Sequence, residues 1–149
     1  MIHPVLIVNL NVFVGKPIEV GETPLGFRRL IPILGGEATG PRLRGQILAG
    51  GADFQLVRPD HTTELHARYV IEAADGARIY VENSGLRHGP TEAMEHLRHG
   101  EPVDPALIYF RTVPRFKTGD ADWLWLTRHI FIAAGVRHPD RVELAIYQV

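Results

Sequence analysis

Two glycine-rich segments lie close together in this chain, and each of them adjoins an apolar run. They are residues 35–41 (GGEATGP) and residues 50–54 (GGADF), and Arg68-Tyr69 follow after one further strand length. Glycine has no Cβ atom, so it tolerates positive φ angles and sharp bends within a strand. A sheet that bends repeatedly tends to close on itself. The sequence therefore predicts a closed sheet around a pocket, and a pocket lined by Asp, Arg and Tyr is the natural place for function.

The composition agrees with a chain broken into many strands. Fifteen glycines and eleven prolines among 149 residues argue against a helix bundle. Cysteine is absent, which excludes disulfides, thiolate nucleophiles and cysteine-ligated metals. A net charge of −1 with no basic run makes nucleic acid an unexpected partner. There is no apolar run of about 18 residues to span a membrane, and the N-terminus lacks signal-peptide features, so we expect a cytoplasmic location.

Alternation of apolar and polar residues predicts an all-β chain with one short helix. The first strand places five apolar side chains on one face and Asn9 and Asn11 on the other. Asp75-Gly76 predicts a tight hairpin, and Pro90 opens a helix over residues 91–99. The spacing of these elements is typical of one domain, a barrel or a sandwich. Strands are predicted at residues 6–14, 27–34, 43–49, 52–58, 64–73, 77–83, 108–113, 123–133 and 142–149.

Short segments spread over nearly the whole chain follow a recognisable order: TPLGFR (23–28), GG (35–36), GP (40–41), GGAD (50–53), RY (68–69), DGA (75–77) and YFRT (109–112), with Phe116 and Trp125. This order resembles the family called domain of unknown function 3237 (DUF3237), also known as uncharacterised protein family 0311 (UPF0311), of small, mainly bacterial proteins. The resemblance implies a closed antiparallel β-barrel with an apolar central cavity, similar to lipocalin-like and allene-oxide-cyclase-like barrels. Members often carry an acidic residue where this chain has His66, which opens a role for histidine there.

Four residues are candidates for catalysis. Asp53 follows three small residues, which suits an acid or base at the cavity mouth, although a short polar residue beside glycine also suits a turn cap. His66 could act as an acid–base group, the role that histidine commonly takes in enzymes, although a lone histidine also suits the surface or a hydrogen-bonded core. Tyr109 and Arg111 share a face about 7 Å apart and suit oxyanion stabilisation, or alternatively a structural ion pair with tyrosine packing. Alternation leaves open which face of each strand is inside.

Four further residues are candidates for substrate binding. Arg68 and Tyr69 point to opposite faces, so at most one of them lies in the cavity, and a salt bridge is the alternative role for Arg68. Trp125 shares a face with Trp123, and it suits either stacking on a flat substrate or core packing. Asn83 and Arg128 complete the set.

No recognisable metal or nucleotide motif is present. His96 and His99 have helical i, i+3 spacing, but no nearby carboxylate completes a ligand set. The segment at residues 35–40 lacks the Lys-Ser/Thr ending of a phosphate loop, and no helix follows it. The sequence therefore predicts chemistry that needs neither a metal nor an organic cofactor.

Three functional hypotheses remain open. The first is a cofactor-independent isomerase, cyclase or lyase that acts on an apolar, aromatic or polycyclic small molecule in the barrel. The second is a carrier that binds a small hydrophobic ligand without turnover, and the third is a purely structural barrel. The apolar segment at residues 130–134 could pack against a copy of itself, so we also expect a homo-oligomer, in the simplest case a dimer.

Overall fold

The chain forms a closed antiparallel β-barrel, and a computed structural model describes all 149 residues. The barrel has eight strand positions, one of which β4 and β5 share between β3 and β6, and β2 extends the sheet beside β3. Pairing of β1 with both β10 and β3 closes the ring. The strands are β1 (Val5–Val14), β2 (Ile18–Thr23), β3 (Gly26–Thr39), β4 (Gly45–Ile47), β5 (Ala52–Val57), β6 (Thr63–Ala73), β7 (Arg78–His88), β8 (Tyr109–Lys117), β9 (Phe131–Arg137) and β10 (Arg141–Gln148).

The glycine pair Gly35-Gly36 lets one long strand serve four neighbours. β3 continues through this pair with φ angles of 144° and 150°, and it pairs with β2 and β1 on one edge and with β5 and β4 on the other. A Cβ atom on Gly36 would lie 2.0 Å from the carbonyl oxygen of Asn11 in β1. The predicted bend is therefore present, but it lies inside a strand of 14 residues instead of ending a strand at residue 34.

The segment at residues 123–133 was predicted as one strand, and that prediction is wrong. Ala121–Thr127 form a 3₁₀ helix, and β9 begins only at Phe131. The Asp120 side chain accepts a hydrogen bond from the Asp122 amide and starts the helical turn. The indole of Trp123 donates to Asp75 Oδ2 over 2.9 Å. Apolar content alone did not distinguish a helix from a strand here, because both bury large side chains.

The structure also differs from the prediction at β2 and β4. Strand β2 was not predicted, and its residues are exposed or only partly buried, so no core-facing pattern marks it. The strand expected at residues 43–49 has only three residues, Gly45–Ile47. The hairpin at Asp75-Gly76 and the helix are confirmed. That helix, α1, spans Thr91–Arg98.

The two ends of the barrel differ. Helix α1 covers one end, and its own residues Ala93, Met94 and Leu97 are buried. The guanidinium carbon of Arg98 lies 4.0 Å from the centre of the Phe27 ring. None of the helices is long and apolar enough to cross a lipid bilayer. The other end is filled by a tightly packed apolar core, which includes Leu10, Ile71, Ile79, Val81, Phe116, Leu126, Phe131 and Ile146. The space left inside the barrel therefore lies towards α1.

Strand β9 alternates as a barrel strand should. Phe131 and Ala133 are buried inside, whereas Ile130, just before the strand, and Ile132 are exposed. These exposed side chains belong to the segment from which we predicted self-association, and the homo-oligomer stays a prediction.

Candidate functional site

A cavity in the barrel interior brings polar and apolar side chains together. The cavity volume is about 50 Å³, which is room for roughly four water molecules. Its apolar wall comes from β1, β3 and β10, and its polar groups come mainly from β5 to β9. The lining residues are Val12, Val14, Ile31, Ile33, Asp53, Gln55, Leu65, Ala67, Tyr69, Asn83, Arg87, Phe110, Thr112, Arg137, Val142 and Leu144.

Asp53 lies in the wall of this cavity with both carboxylate oxygens held. It stands opposite Ala67 in the sheet, and Ala67 stands opposite Asn83, so a small methyl group separates the two polar residues. Asp53 Oδ2 accepts from Gln55 Nε2 over 2.7 Å, and Oδ1 accepts from the backbone amide of His66 over 3.0 Å. Two donors therefore fix the orientation of the carboxylate.

A third residue fixes the orientation of the Gln55 amide. Arg29 Nε donates to Gln55 Oε1 over 2.9 Å, and Arg29 Nη1 donates to the carbonyl oxygen of Arg98 at the end of α1. Because Oε1 is occupied by Arg29, the amide nitrogen of Gln55 must face Asp53. The helix that covers the barrel is thus linked through two side chains to the buried carboxylate.

The protein environment shifts the pKa of Asp53 upward. Burial is the main cause, because a low-dielectric site disfavours the charged carboxylate. The hydrogen bond from Gln55, the charge of Arg87 and the amide of His66 lower the pKa in part and so oppose this rise. A carboxyl with a raised pKa accepts and returns a proton closer to neutral pH, which is what acid–base catalysis requires.

The barrel interior holds three guanidinium groups around this one carboxylate. Arg29 and Arg87 are 4% and 2% exposed, and Arg137 lines the cavity from β9. Desolvation lowers the pKa of Arg87 to about 10, so its guanidinium stays charged at neutral pH. Desolvation also lowers the pKa values of Arg29 and Arg137, while the charge of Asp53 acts to raise both. The interior is therefore positively charged when Asp53 is ionised, and more so when it is protonated.

Four cavity-lining side chains have a buried polar atom without a hydrogen-bond partner: Tyr69 Oη, Asn83 Oδ1, Arg87 Nε and Thr112 Oγ1. Such atoms are rare in folded proteins because each one loses its bond to water on burial. Burial raises the pKa of Tyr69 well above its ordinary value, so its hydroxyl remains a neutral donor. Four unpartnered polar atoms therefore belong to residues that line this one cavity.

The structure brings two of the eight predicted site residues, Asp53 and Asn83, into the cavity. His66 and Arg68 lie on the outer face of the barrel, where His66 Nδ1 pairs with the Ser84 hydroxyl over 2.8 Å and Arg68 Nε donates to His66 Nε2. Only the backbone amide of His66 reaches Asp53. The alternation that places Arg68 outside places Tyr69 inside, as expected from their opposite faces.

The other predicted residues also lie away from the cavity. Tyr109 is exposed and stacks on His88 with ring centroids 4.9 Å apart, and Arg111 donates to the carbonyl oxygen of Phe110. Trp125 belongs to the 3₁₀ helix beneath the guanidinium of Arg42. Arg128 is exposed just after that helix.

Sequence reasoning missed most of the polar groups in the cavity. The predicted strand at 77–83 ended before Arg87, although continued alternation from Asn83 places residue 87 on the same face. For β8, the placement of Phe110 and Thr112 opposite Tyr109 and Arg111 was correct, and the rule that the more apolar face points inward would have selected it. Gln55 shares its face with Asp53, as predicted. Arg29 and Arg137 carried no comparable signal. Nowhere do three His, Asp or Glu side chains converge to hold a metal ion.

The fold and the cavity define a small antiparallel barrel protein with a positively charged interior cavity. The chain belongs to the family described as protein of unknown function (DUF3237), which it matches over residues 3–149. It is 54% identical over 136 residues to a UPF0311 protein of Bradyrhizobium diazoefficiens, a match that covers 91% of this chain and 89% of the relative. The recognition from sequence and the barrel fold are both confirmed.

Solved structures with this fold include close and distant proteins. A conserved protein of unknown function from Rhodopseudomonas palustris has a TM-score of 0.95 and 46% identity, with 98% of this chain and 96% of that chain covered. A β-barrel-like protein from Acinetobacter baumannii has a TM-score of 0.86 and 32% identity, with coverage of 98% and 94%. A protein described as an enzyme from Penicillium herquei has a TM-score of 0.74, 19% identity and coverage of 98% and 92%, a likeness of fold alone.

Proposed function

We propose that this protein is a cofactor-independent enzyme, an isomerase, cyclase or lyase, that moves a proton of a small molecule at Asp53 inside the barrel. The observation that carries the proposal is the orientation of Asp53. Its two oxygens are already held by donors from Gln55 and His66, so a proton taken from a substrate must come from the cavity side. A base within hydrogen-bond reach of its substrate is the first requirement of such chemistry.

The remaining cavity groups suit the second requirement, which is to stabilise the charge that develops on the substrate. When a base removes a proton next to a carbonyl, negative charge moves to the carbonyl oxygen as the carbon–hydrogen bond breaks. Arg87 is a fixed cation, and Tyr69 is a neutral hydroxyl donor, and both face the same cavity as Asp53. Preorganised donors in a site shielded from bulk water stabilise such an oxyanion strongly. These two residues take the role that the sequence suggested for Arg111 and Tyr109.

The cavity also limits the substrate. A space of about 50 Å³ does not enclose a polycyclic ring system, so only a small molecule or the reacting end of a larger one would enter. The same fold occurs in a protein described as an enzyme, which supports the idea that the barrel is able to carry a reaction. The alternative is a carrier, in which the unpartnered atoms bind the ligand and Asp53 transfers no proton.

Hydrogen exchange in heavy water distinguishes the two functions. A panel of small carbonyl compounds and hydroxy acids is incubated with the protein in D₂O, and deuterium uptake at carbon is followed by NMR. We expect uptake into at least one compound, and a loss of about 10²- to 10⁴-fold in Asp53→Asn. The matched control is Glu64→Gln, which removes an exposed carboxylate on the neighbouring strand. A compound that binds in the cavity but exchanges equally in wild type and Asp53→Asn would support the carrier.

A further inference from the structure

The three interior arginines are not neutralised by the protein. None of the ion pairs in the structure involves Arg29, Arg87 or Arg137. Asp53 interacts with all three through space, and Glu19 and Asp140 add a weaker attraction to Arg29 and Arg137. For Arg87, Asp53 is the one carboxylate that acts on its charge. Buried charges are normally paired, because an unpaired ion loses its hydration without compensation. The interior therefore has an excess of positive charge, which an anionic ligand could neutralise.

The three arginines differ in what they already bind. Arg29 is held by Gln55 and by the Arg98 carbonyl, and Arg137 Nη1 donates to the backbone carbonyls of His138 and Arg141. Arg87 is the most deeply buried, its Nε has no partner, and its guanidinium carbon lies 5.2 Å from the centre of the Phe110 ring. Arg87 is thus the cation in this cavity whose Nε–H group lacks a hydrogen-bond acceptor.

We propose that the substrate is a small organic anion whose carboxylate binds Arg87 and whose hydroxyl group binds between Asn83 and Thr112; this inference rests on the proposed function of the same site. The planar guanidinium of arginine matches a carboxylate with two parallel hydrogen bonds. Asn83 Oδ1 needs a donor, and the Thr112 hydroxyl both donates and accepts. A hydroxyl group satisfies both of these residues, so the ligand class is a hydroxy acid or the enol of an oxo acid.

The register of β7 and β8 places these groups in a suitable order. Positions 83, 85 and 87 of β7 face inward, and Thr112 stands opposite Gly85. A Cβ atom at Gly85 would lie 2.6 Å from Thr112 Cγ2, so glycine is what leaves room for that side chain. Arg87, Thr112 and Asn83 therefore follow one another along one wall. Asp53 lies on the far side of Ala67 from Asn83 and lines the same cavity.

Calorimetry and NMR with two matched ligand pairs test this assignment. Lactate against lactamide tests the carboxylate, and lactate against propionate tests the hydroxyl group. We expect lactate to bind at least about tenfold more tightly than lactamide and several-fold more tightly than propionate, because a hydrogen bond to a charged group is stronger than one to a neutral group. In ¹⁵N-labelled protein, the Arg87 Nε–H resonance should shift as lactate saturates the site.

Variants separate the anion site from the proton-transfer site. Arg87→Met should remove the preference for lactate over lactamide, whereas Arg111→Met, which removes an exposed arginine on β8, should keep it. Failure of Arg87→Met to fold would favour a structural role for Arg87, and the Nε–H resonance of the wild type then tests whether lactate binds there at all. Asp53→Asn should bind lactate as tightly as wild type or more tightly, because it removes a neighbouring negative charge.

The outcomes that overturn the inference are distinct from failure of the proposed function. Three results would each refute the anion site: equal binding of lactate and lactamide, lactate binding that leaves the Arg87 Nε–H resonance unmoved, or no lactate binding at about 100 mM. A dissociation constant of about 100 mM corresponds to a binding free energy of about −1.4 kcal/mol. The proposed function would still hold if deuterium uptake into a neutral compound occurred in the wild type and was lost in Asp53→Asn. Conversely, tight lactate binding without any Asp53-dependent exchange would keep the anion site and refute the enzyme.

Discussion

Gln55 donates to Asp53 Oδ2 over 2.7 Å, and Arg29 is the reason that its amide points this way. Arg29 in turn donates to the Arg98 carbonyl at the last turn of α1. The buried carboxylate, its orienting amide and the helix that covers the barrel therefore form one hydrogen-bonded chain. A disturbance at any link should reach the carboxylate through the next.

Removal of the central link has two expected effects. Gln55→Ala should raise the pKa of Asp53 further, because the carboxylate loses a hydrogen bond that favours its charged form. It should also lower the free energy of unfolding by about 1 to 3 kcal/mol, since Arg29 Nε is left without its acceptor. Carboxyl ¹³C titration by NMR and urea unfolding measure the two effects.

Gln46→Ala is the matched control, because this glutamine is exposed on β4. An unchanged Asp53 pKa in Gln55→Ala would show that the hydrogen bond contributes nothing to the charge state of the carboxylate.

The raised pKa of Asp53 predicts a specific dependence of stability on pH. The folded state holds this proton more tightly than the unfolded chain does, so the stability that Asp53 contributes is fully present below the unfolded carboxyl pKa of about 3.9. It is lost as the pH rises through the higher folded-state pKa. The difference in unfolding free energy between wild type and Asp53→Asn should therefore fall from pH 4 upward and then become constant. Urea unfolding across this range measures it, and a difference that grows with pH would contradict the direction of the shift.

Arg87 should cost the protein stability in the absence of a ligand. Its charge is buried, and its Nε is unpartnered, so Arg87→Met should increase the free energy of unfolding by about 1 to 3 kcal/mol while it keeps a similar shape. Thermal unfolding measures the change, with Arg111→Met as the exposed control. A large loss of stability in Arg87→Met would instead favour the purely structural barrel, in which the interior arginine is part of a satisfied network.

Closure of the barrel should depend on Gly36. A Cβ atom there would meet the Asn11 carbonyl at 2.0 Å, and the φ angle of 150° disfavours other residues. Gly36→Ala should therefore lower the free energy of unfolding by at least about 2 kcal/mol. Gly119→Ala is the control, since nothing lies within 4 Å of its Cβ position. Similar unfolding midpoints for the two variants would show that β3 and β1 separate without cost.

The sequence determined the fold class and several local elements because these depend on short-range patterns. The hairpin at Asp75-Gly76 follows from turn chemistry, and α1 follows from Pro90 and helical spacing. The glycine pair at residues 35–36 predicted a bend, because glycine tolerates the positive φ angles that these two residues adopt. Asp53 was identified for the same reason, since small residues allow close approach beside it. None of these inferences needs knowledge of distant partners.

The tertiary structure alone decided which face of each strand is inside and which side chains meet there. Tyr109 and Arg111 alternate with Phe110 and Thr112. The more apolar pair is expected inside, but closure of the ring is what places Phe110 and Thr112 in the wall of a cavity. The segment at residues 121–127 became helical because Asp120 and Asp75 supplied its contacts. Arg29 reached Gln55 across 26 residues of chain, a contact that no local pattern encodes. The sequence thus carried the periodicity of each strand, while the pairing of distant strands set the charge, the hydrogen bonds and the volume of the site.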